Sequence, residues 1–342
     1  MRILVTGGAG FIGSHVVSLL DERGDAVSVF EREEADASVL PETIGVLRGD
    51  VQDAEQLHAR MAGFDAVIHC AANAQLWARD ASVYEAVNHR GTQNVVRAAN
   101  ASGVSRVVHV SSEAVLAGPR VAVDSRPLNR GGPAARGTAA IEADARIDEA
   151  ASRSLGEMAG AYSRSKWRAE RAALEHGAIV VVPTVPVGPG DRNRTPPARL
   201  IEAFMAGKVP AKVEADLPLV DVRDVATGIV ATLDRGKPGK RYLVAGENWT
   251  TTRLFAALAE ITGRKAPLFN VPYPVALASG YVAQAICRVT GGQPLSTVEG
   301  VRLTRKRLRF DDSWSRQQLG LSPRPVMDAL RDAVAWLRAY PA

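Results

Sequence analysis

Cysteine is scarce in this 342-residue chain, with only Cys70 and Cys287, far apart and without metal-ligand spacing. A disulfide framework is thereby excluded, and the pair reads as buried, reduced thiols of a cytoplasmic protein. No other grouping of His, Cys and carboxylates has metal spacing, so no metal is expected. No run of eighteen apolar residues occurs, which excludes an integral membrane segment. The most apolar stretch, Val275 to Val289, is interrupted by Ser279, Tyr281, Gln284 and Arg288 and reads as a core or interfacial helix. The start, MRILVTGG, meets glycine already at Gly7, unlike a secretory signal. Strong charge of one sign is missing too: Lys and Arg number 42 against 37 Asp and Glu, and they are scattered. Nucleic acid is therefore not an expected partner, and a small molecule is. No internal repeat of solenoid length is present.

What is there is an ordinary globular composition, 46% apolar and 23% charged, on a chain long enough for one large domain with a lobe grown onto it. The first half alternates ILVTG, SHVVSLLDERG, AVSVFE, a helix from Ala54, AVIHCAA, the helical NHRGTQNVVRAANASG stopped by Gly103, and the strand RVVHVSS. That rhythm predicts right-handed βαβ units, hence an α/β fold with a doubly wound parallel sheet and helices on both faces. A helix around Tyr162 and one strand, AIVVVPTVPVG, follow. From Val121 to about Ala145 the chain is Arg, Ala, Gly, Pro and Asp without apolar period, a long loop read as a lid or as disorder. After Pro183 the alternation lapses. PVGPGDRNRTPP reads as loop, LIEAFMAG as helix, LPLVDVRDVATGIVATLDRG as strand, turn and helix, and Arg241 to Val244 as a return to the main sheet. RKRLRF reads as a strand, with Arg302, Arg305, Lys306, Arg307 and Arg309 on its solvated face. Residues 1–183, with a return segment of about 220–246, form the expected nucleotide domain. Residues 184–219 and 247–342 form a smaller mixed α/β substrate lobe.

Gly7, Gly10 and Gly13 lie in TGGAGFIG, with Phe11 and Ile12, between the first strand and the first helix. Residues without a Cβ let backbone N–H groups and a helix N-terminus approach a pyrophosphate. The second strand ends at Glu31-Arg32. A carboxylate there accepts from both ribose hydroxyls and favours NAD, whereas a guanidinium suits the 2′-phosphate of NADP; NAD is slightly preferred. Asp50-Val51 offers a carboxylate to adenine, or else an N-cap for a helix over Gln52 to Leu57. Ala71 and Ala72 follow the fourth strand as small residues beside which a cofactor can pass.

Tyr162 and Lys166 stand four apart in GAYSRSKWRAE and share a helical face. A phenol titrates near pH 10 unperturbed, and an adjacent ammonium plus an oxidised nicotinamide would lower that value. Behind the glycine turn come Asn88 in NHRGTQN, Ser111-Ser112 ending RVVHVSS, then Tyr162 and Lys166. In this order the chain resembles, over nearly its whole length, the extended short-chain dehydrogenases/reductases of the NAD-dependent epimerase/dehydratase family. LWARD, YSRSKWRAE, VPTVPVGPGDRNRTP, LVDVRDVATG and VRLTRKRLRF most resemble its dihydroflavonol-reductase-like and hopanoid-associated epimerase-like members.

The resemblance implies a Rossmann fold, Tyr162 as general acid/base, Lys166 holding the nicotinamide ribose, and Ser112, not Ser111, on the substrate oxygen. It adds Pro183 to the cofactor contacts, gives Asn88 a role near Lys166 or as a helix cap, and implies a homodimer through the helices bearing Asn88 and Tyr162. Two features depart from it: Glu113 puts a charge beside the substrate pocket, and the segment after Gly118 is longer than in relatives. Leu76 and Trp77 line the substrate pocket or simply pack, and His109 reads as a satisfied core histidine. The expected activity is reversible hydride transfer between NAD or NADP and a carbonyl or secondary alcohol of a small to medium, largely apolar substrate. One alternative is a nucleotide-sugar epimerase or dehydratase with transient oxidation. Against it, Pro183-Thr184-Val185 stands where such epimerases often carry asparagine, and Asp221 stands where a histidine is common. A non-catalytic dinucleotide sensor is the third possibility, and it would not need Tyr162 and Lys166.

Overall fold

The computed structural model describes residues 1–117, 146–306 and 308–341. The loop expected from Val121 to Ala145, the longer segment after Gly118, and Arg307 lie outside the described residues.

The chain opens with β1 (Arg2–Thr6), α1 (Phe11–Glu22), β2 (Ala26–Glu31), β3 (Gly45–Arg48), α2 (Ala54–Met61) and β4 (Ala66–His69). A π-helical segment, Tyr84–Arg90, then runs straight into α3 (Gly91–Ala101). β5 (Arg106–Val110), α4 (Ala161–Glu175) and β6 (Ile179–Pro183) follow. The chain then passes through β7 (Val185–Val187), α5 (Pro196–Met205), β8 (Ala211–Lys212), β9 (Asp216–Asp221) and α6 (Val222–Arg235). It returns with β10 (Arg241–Val244) and continues as β11 (Glu247–Thr250), α7 (Thr251–Thr262), β12 (Phe269–Asn270), α8 (Tyr273–Thr290), α9 (Val298–Thr304), α10 (Ser313–Leu319) and α11 (Val326–Ala339).

Seven strands form one parallel sheet in the order β10-β6-β5-β4-β1-β2-β3. The order reverses between β1 and β4, the doubly wound Rossmann arrangement, whose ligands bind at the carboxyl ends of the strands beside that reversal. The strands are apolar on both faces because helices cover both. Leu4, Val67, Val107, Val180 and Val182 pack with residues of α2, α3 and α4 on one side. Ile3, Val5, Val29, Ile68 and Val181 pack with residues of α1 and α6 on the other. A second sheet, β11-β9-β7, packs Val187, Leu219 and Trp249 against Phe204, Phe255, Leu330 and Val334 in a separate core.

Three local readings change. The run AIVVVPTVPVG is two strands, because the backbone leaves the main sheet at Thr184, whose N–H still bonds Val244 O, and crosses to the second sheet. RKRLRF is not a strand: Arg302 ends in α9, and only Phe310 bridges to Ile147. Lys306 is not on a solvated face either, since its Nζ donates to Ala117 O and Glu157 O, both at 2.7 Å. The helix after Asp50 begins at Ala54, capped by Asp53, which accepts from the N–H groups of Glu55 and Gln56.

The buried Glu170 of α4 knits the sheet to the helix, accepting from Ser111 Oγ at 2.5 Å and pairing with Arg241 of the returning β10. Removing one partner of such a pair leaves the other charge buried and uncompensated. Glu170→Ala is expected to cost about 3–5 kcal/mol of unfolding free energy in urea titration; a change below about 1 kcal/mol would mean that the contact is solvated.

Candidate active site

Glycine is required at the β1–α1 turn for stated steric reasons. Gly7 has φ +70°, and a Cβ on it would lie 2.6 Å from the Ala71 backbone. One on Gly13 would lie 2.1 Å from Gly7 O. α1 starts at Gly10 with no side-chain cap and no acidic residue in its first turn, leaving its N–H groups and dipole available to an anion. Glu31, at the end of β2, accepts from Ala9 N at 3.1 Å and so holds its carboxylate against the glycine turn. Arg32 beside it is exposed. Asp50 accepts from Gln52 N at 2.9 Å and from its side-chain amide at 3.1 Å; it closes a turn rather than capping a helix.

A single cavity of about 1560 Å³ takes in Gly7, Gly10, Phe11, Ile12, Gly13, Glu31, Arg32, Asp50, Val51, Ala71, Ala72, Leu76, Ser112, Glu113, Tyr162, Lys166 and Pro183. That exceeds the ~300–1,000 Å³ of an ordinary ligand pocket, leaving room for a dinucleotide and a second molecule. The uncapped helix, the side-chain-free turn and the carboxylate at the end of β2 fit such a dinucleotide. Two expected residues do not line the cavity. Trp77 is buried in packing. Asn88 is buried too, and its amide accepts from Asn73 N at 2.7 Å and donates to Asn73 O at 3.1 Å and Ser165 Oγ at 2.9 Å. Asn88 is therefore neither a cap nor a cavity contact: it ties the loop after β4 to α4.

Tyr162 is the second residue of α4, buried, with its ring edge-to-face on Tyr84 at 6.3 Å. Lys166, one turn on, donates to Val110 O at 2.7 Å. Burial pulls the Lys166 ammonium down to about 8, opposed by Glu170. The lowering expected for the phenol is not met in the protein alone. Burial, and then the neighbouring Glu113, push Tyr162 above its ordinary range, while Ser112, facing the phenol, offsets part of the rise. Burial likewise pushes the Glu113 carboxyl up to about 7, although Ser112 Oγ donates to it at 3.1 Å. Ser111 is committed to Glu170, so Ser112 is the serine left facing Tyr162.

Sequence reasoning missed Glu299. This buried residue of α9 sends its carboxylate to the N-terminus of α4, accepting from Tyr162 N at 3.1 Å, Ser163 N at 2.7 Å and Ser163 Oγ at 2.5 Å. Gly160, the N-cap, has no side chain to offer, and a Cβ there would meet Glu299 at 2.1 Å. The only local sign was a helix lacking both a capping side chain and a first-turn acid. His69 is held between Thr6 Oγ1 (2.6 Å) and Thr92 Oγ1 (3.0 Å). Because Thr92 donates its own proton to Asn88 O, His69 must donate from Nε2 and accept at Nδ1. Burial lowers its pKa to about 3, which keeps the ring neutral. His109 packs on it at 5.3 Å, but neither of its ring nitrogens has a partner among the described residues, so it is buried without being satisfied. Cys70 and Cys287 are free thiols and only half-buried. No cluster able to hold a metal occurs among the described residues.

Residues 3–245 match the family model described as the NAD dependent epimerase/dehydratase family. The chain belongs to this family. It is an enzyme of the extended short-chain dehydrogenase/reductase type. It is 32% identical to a dihydroflavonol-4-reductase-like protein of Synechocystis sp., over 98% of this chain and 94% of that one. It is 30% identical to sterol demethylase protein B of Methylococcus capsulatus, over 99% and 98%. The crystal structure of gox2253 superposes with a TM-score of 0.82 at 32% identity, covering 99% of this chain and 98% of that one.

The raised Glu113 carboxyl has a signed consequence. The folded state holds that proton more tightly than the unfolded state between pH 4.5 and about 7, so stability falls as pH rises across the interval. Urea titrations should show a loss on the order of 3 kcal/mol that Glu113→Gln abolishes; equal slopes in the two proteins would place Glu113 in water.

Proposed function

We propose that this enzyme catalyses reversible hydride transfer at a carbonyl or secondary alcohol of a small to medium, largely apolar substrate, with Tyr162 as general acid/base. The convergence of the Tyr162 phenol, the Ser112 hydroxyl and the Lys166 ammonium in the cavity that also contains the glycine turn carries this reading. A nicotinamide dinucleotide, when bound, supplies or accepts the hydride. In the reducing direction Ser112 turns its hydroxyl proton from Glu113 to the carbonyl oxygen, and Tyr162 gives its proton to that oxygen as negative charge develops. A phenol pushed upward by burial remains protonated at neutral pH, as a proton donor must. Lys166 stabilises the resulting phenolate through its positive charge, and the proton is replaced from solvent. Leu76, Val83, Val87, Leu200 and Leu303 give the cavity apolar walls. Arg199 also faces it, half-buried and forming no ion pair among the described residues, and supplies one fixed cation for a second substrate oxygen. Asp221 is spent on capping α6 and pairing with Arg223, away from this chemistry.

Glu31, fixed against the glycine turn, supports NAD over NADP as the working cofactor. NADH and NADPH oxidation followed with a panel of aldehydes and ketones, including long-chain and terpenoid ones, tests the reading directly. Net cofactor oxidation is expected, faster with NADH, and Glu31→Ala should shrink that preference about tenfold, or ~1.4 kcal/mol. Epimerisation of a sugar nucleotide without net cofactor turnover would overturn the reductase reading, and a strong native preference for NADPH would show that Arg32 governs the choice.

A further inference from the structure

We propose that α8 and the adjoining β12 form a surface that docks on an anionic lipid bilayer, with the cavity opening beside it. A surface helix ordinarily turns its large apolar side chains toward the body of the protein; α8 does the reverse. At about 100° per residue, Val275, Val282, Ile286 and Val289 fall within roughly 60° of arc. They are 57%, 59%, 55% and 85% exposed. Ala276, Gly280, Ala283 and Cys287 form a second stripe about 120° away, and α8 rests on the protein through its buried members, Ala276 and Gly280. A Cβ on Gly280 would already stand 3.3 Å from the Thr297 and Val298 backbone, so that side of the helix must be small. The outward stripe is about 21 Å long, and exposed Leu268 and Phe269 extend the apolar surface onto β12.

Charge selects the occupant. Between residues 261 and 298 there is no Asp or Glu, while Arg264, Lys265 and Arg288 are present and exposed. Two further exposed cations come from α9 and its end. Arg305 lies 4.5 Å over the Tyr273 ring, and Arg302 donates to the Tyr281 hydroxyl at 3.1 Å. Aliphatic side chains facing outward, tyrosines at the flank and cations in a segment that contains no Asp or Glu match a helix lying in the headgroup plane. A second copy of the chain, packed by two-fold symmetry on this face, would bring the same cations together. No helix among the described residues is long and apolar enough to cross a membrane, so the contact is peripheral. Its position has a use: the exposed Leu295 lines the cavity, as do Ala211 and Lys212 of β8, the strand that pairs with β12. An apolar compound dissolved in lipid therefore meets the opening without crossing water.

Co-sedimentation with phosphatidylcholine vesicles, with and without phosphatidylglycerol, tests the surface and needs no turnover, so it stands or falls separately from the reductase reading. The native protein should partition at least about tenfold more onto the anionic vesicles, and less as salt rises. Val282→Glu with Ile286→Glu, both exposed and outside the cavity, should lose about tenfold in partitioning with an unchanged thermal melt. Arg264→Glu with Lys265→Glu should remove the preference for phosphatidylglycerol. The proposal is overturned if the native protein stays in the supernatant with both vesicles, or if the Val282/Ile286 variant sediments like the native. It is equally overturned if sedimentation velocity shows a native dimer that this variant dissociates, which would give the face to a second copy.

Discussion

Everything assigned to the candidate active site depends on how α4 is fixed. A helix can aim a phenol only if its own axis, rotation and N-terminus are held, and here separate buried charges hold them. Glu299 reaches in from α9 to cap the first turn, beside Tyr162 itself. Glu170, two turns on, joins the helix to the end of β5 and to the returning β10. Lys166 between them is anchored on the last carbonyl of β5. All of these contacts come from residues more than fifty positions away, so the sheet order and the placement of α9 are both preconditions for the position of one hydroxyl. Hydrogen-bonded groups around a reacting centre act in this way by removing the cost of reorganisation.

The electrostatics follow from the same enclosure. Burial raises the phenol and the Glu113 carboxyl and lowers the Lys166 ammonium, so each group is drawn toward its neutral form. The protein alone is thus arranged around a protonated tyrosine, and a low phenol pKa is not built into the chain. The positive end of α1 and the open glycine turn lie in the same cavity, and a turn of this kind suits an anionic pyrophosphate without any lysine or arginine of its own.

The parts of this arrangement that obey local rules were legible in the sequence. The glycine spacing, the Tyr162-Lys166 pair and the return of Arg241 to Val244 to the sheet all rest on short-range pattern or chain order. What was not legible depends on residues distant in sequence. Glu299 has no motif, because a cap contributed from a helix distant in sequence leaves only a missing cap behind. Asn88 looked like a cofactor or capping residue because nothing nearby reveals that its amide is committed to Asn73 and Ser165. The run around Val181 to Val187 keeps one apolar pattern while its backbone changes sheets, and RKRLRF has strand-like alternation but follows directly on the end of a helix. The stretch from Val275 to Val289 was ambiguous for a different reason: apolar periodicity shows that a helix has a face, and only the fold shows that this face points outward.

The central claim, that Tyr162 moves the proton, is tested most directly by comparing Tyr162→Phe with the native enzyme on any substrate found to turn over. Cofactor binding is measured in parallel by titration calorimetry. Removing the hydroxyl while keeping the ring packed on Tyr84 should lower kcat by at least about a hundredfold, as expected for loss of a general acid. The dissociation constant for NADH should stay within a few-fold. A variant that keeps most of its turnover would show that the proton comes from another group and would contradict the account.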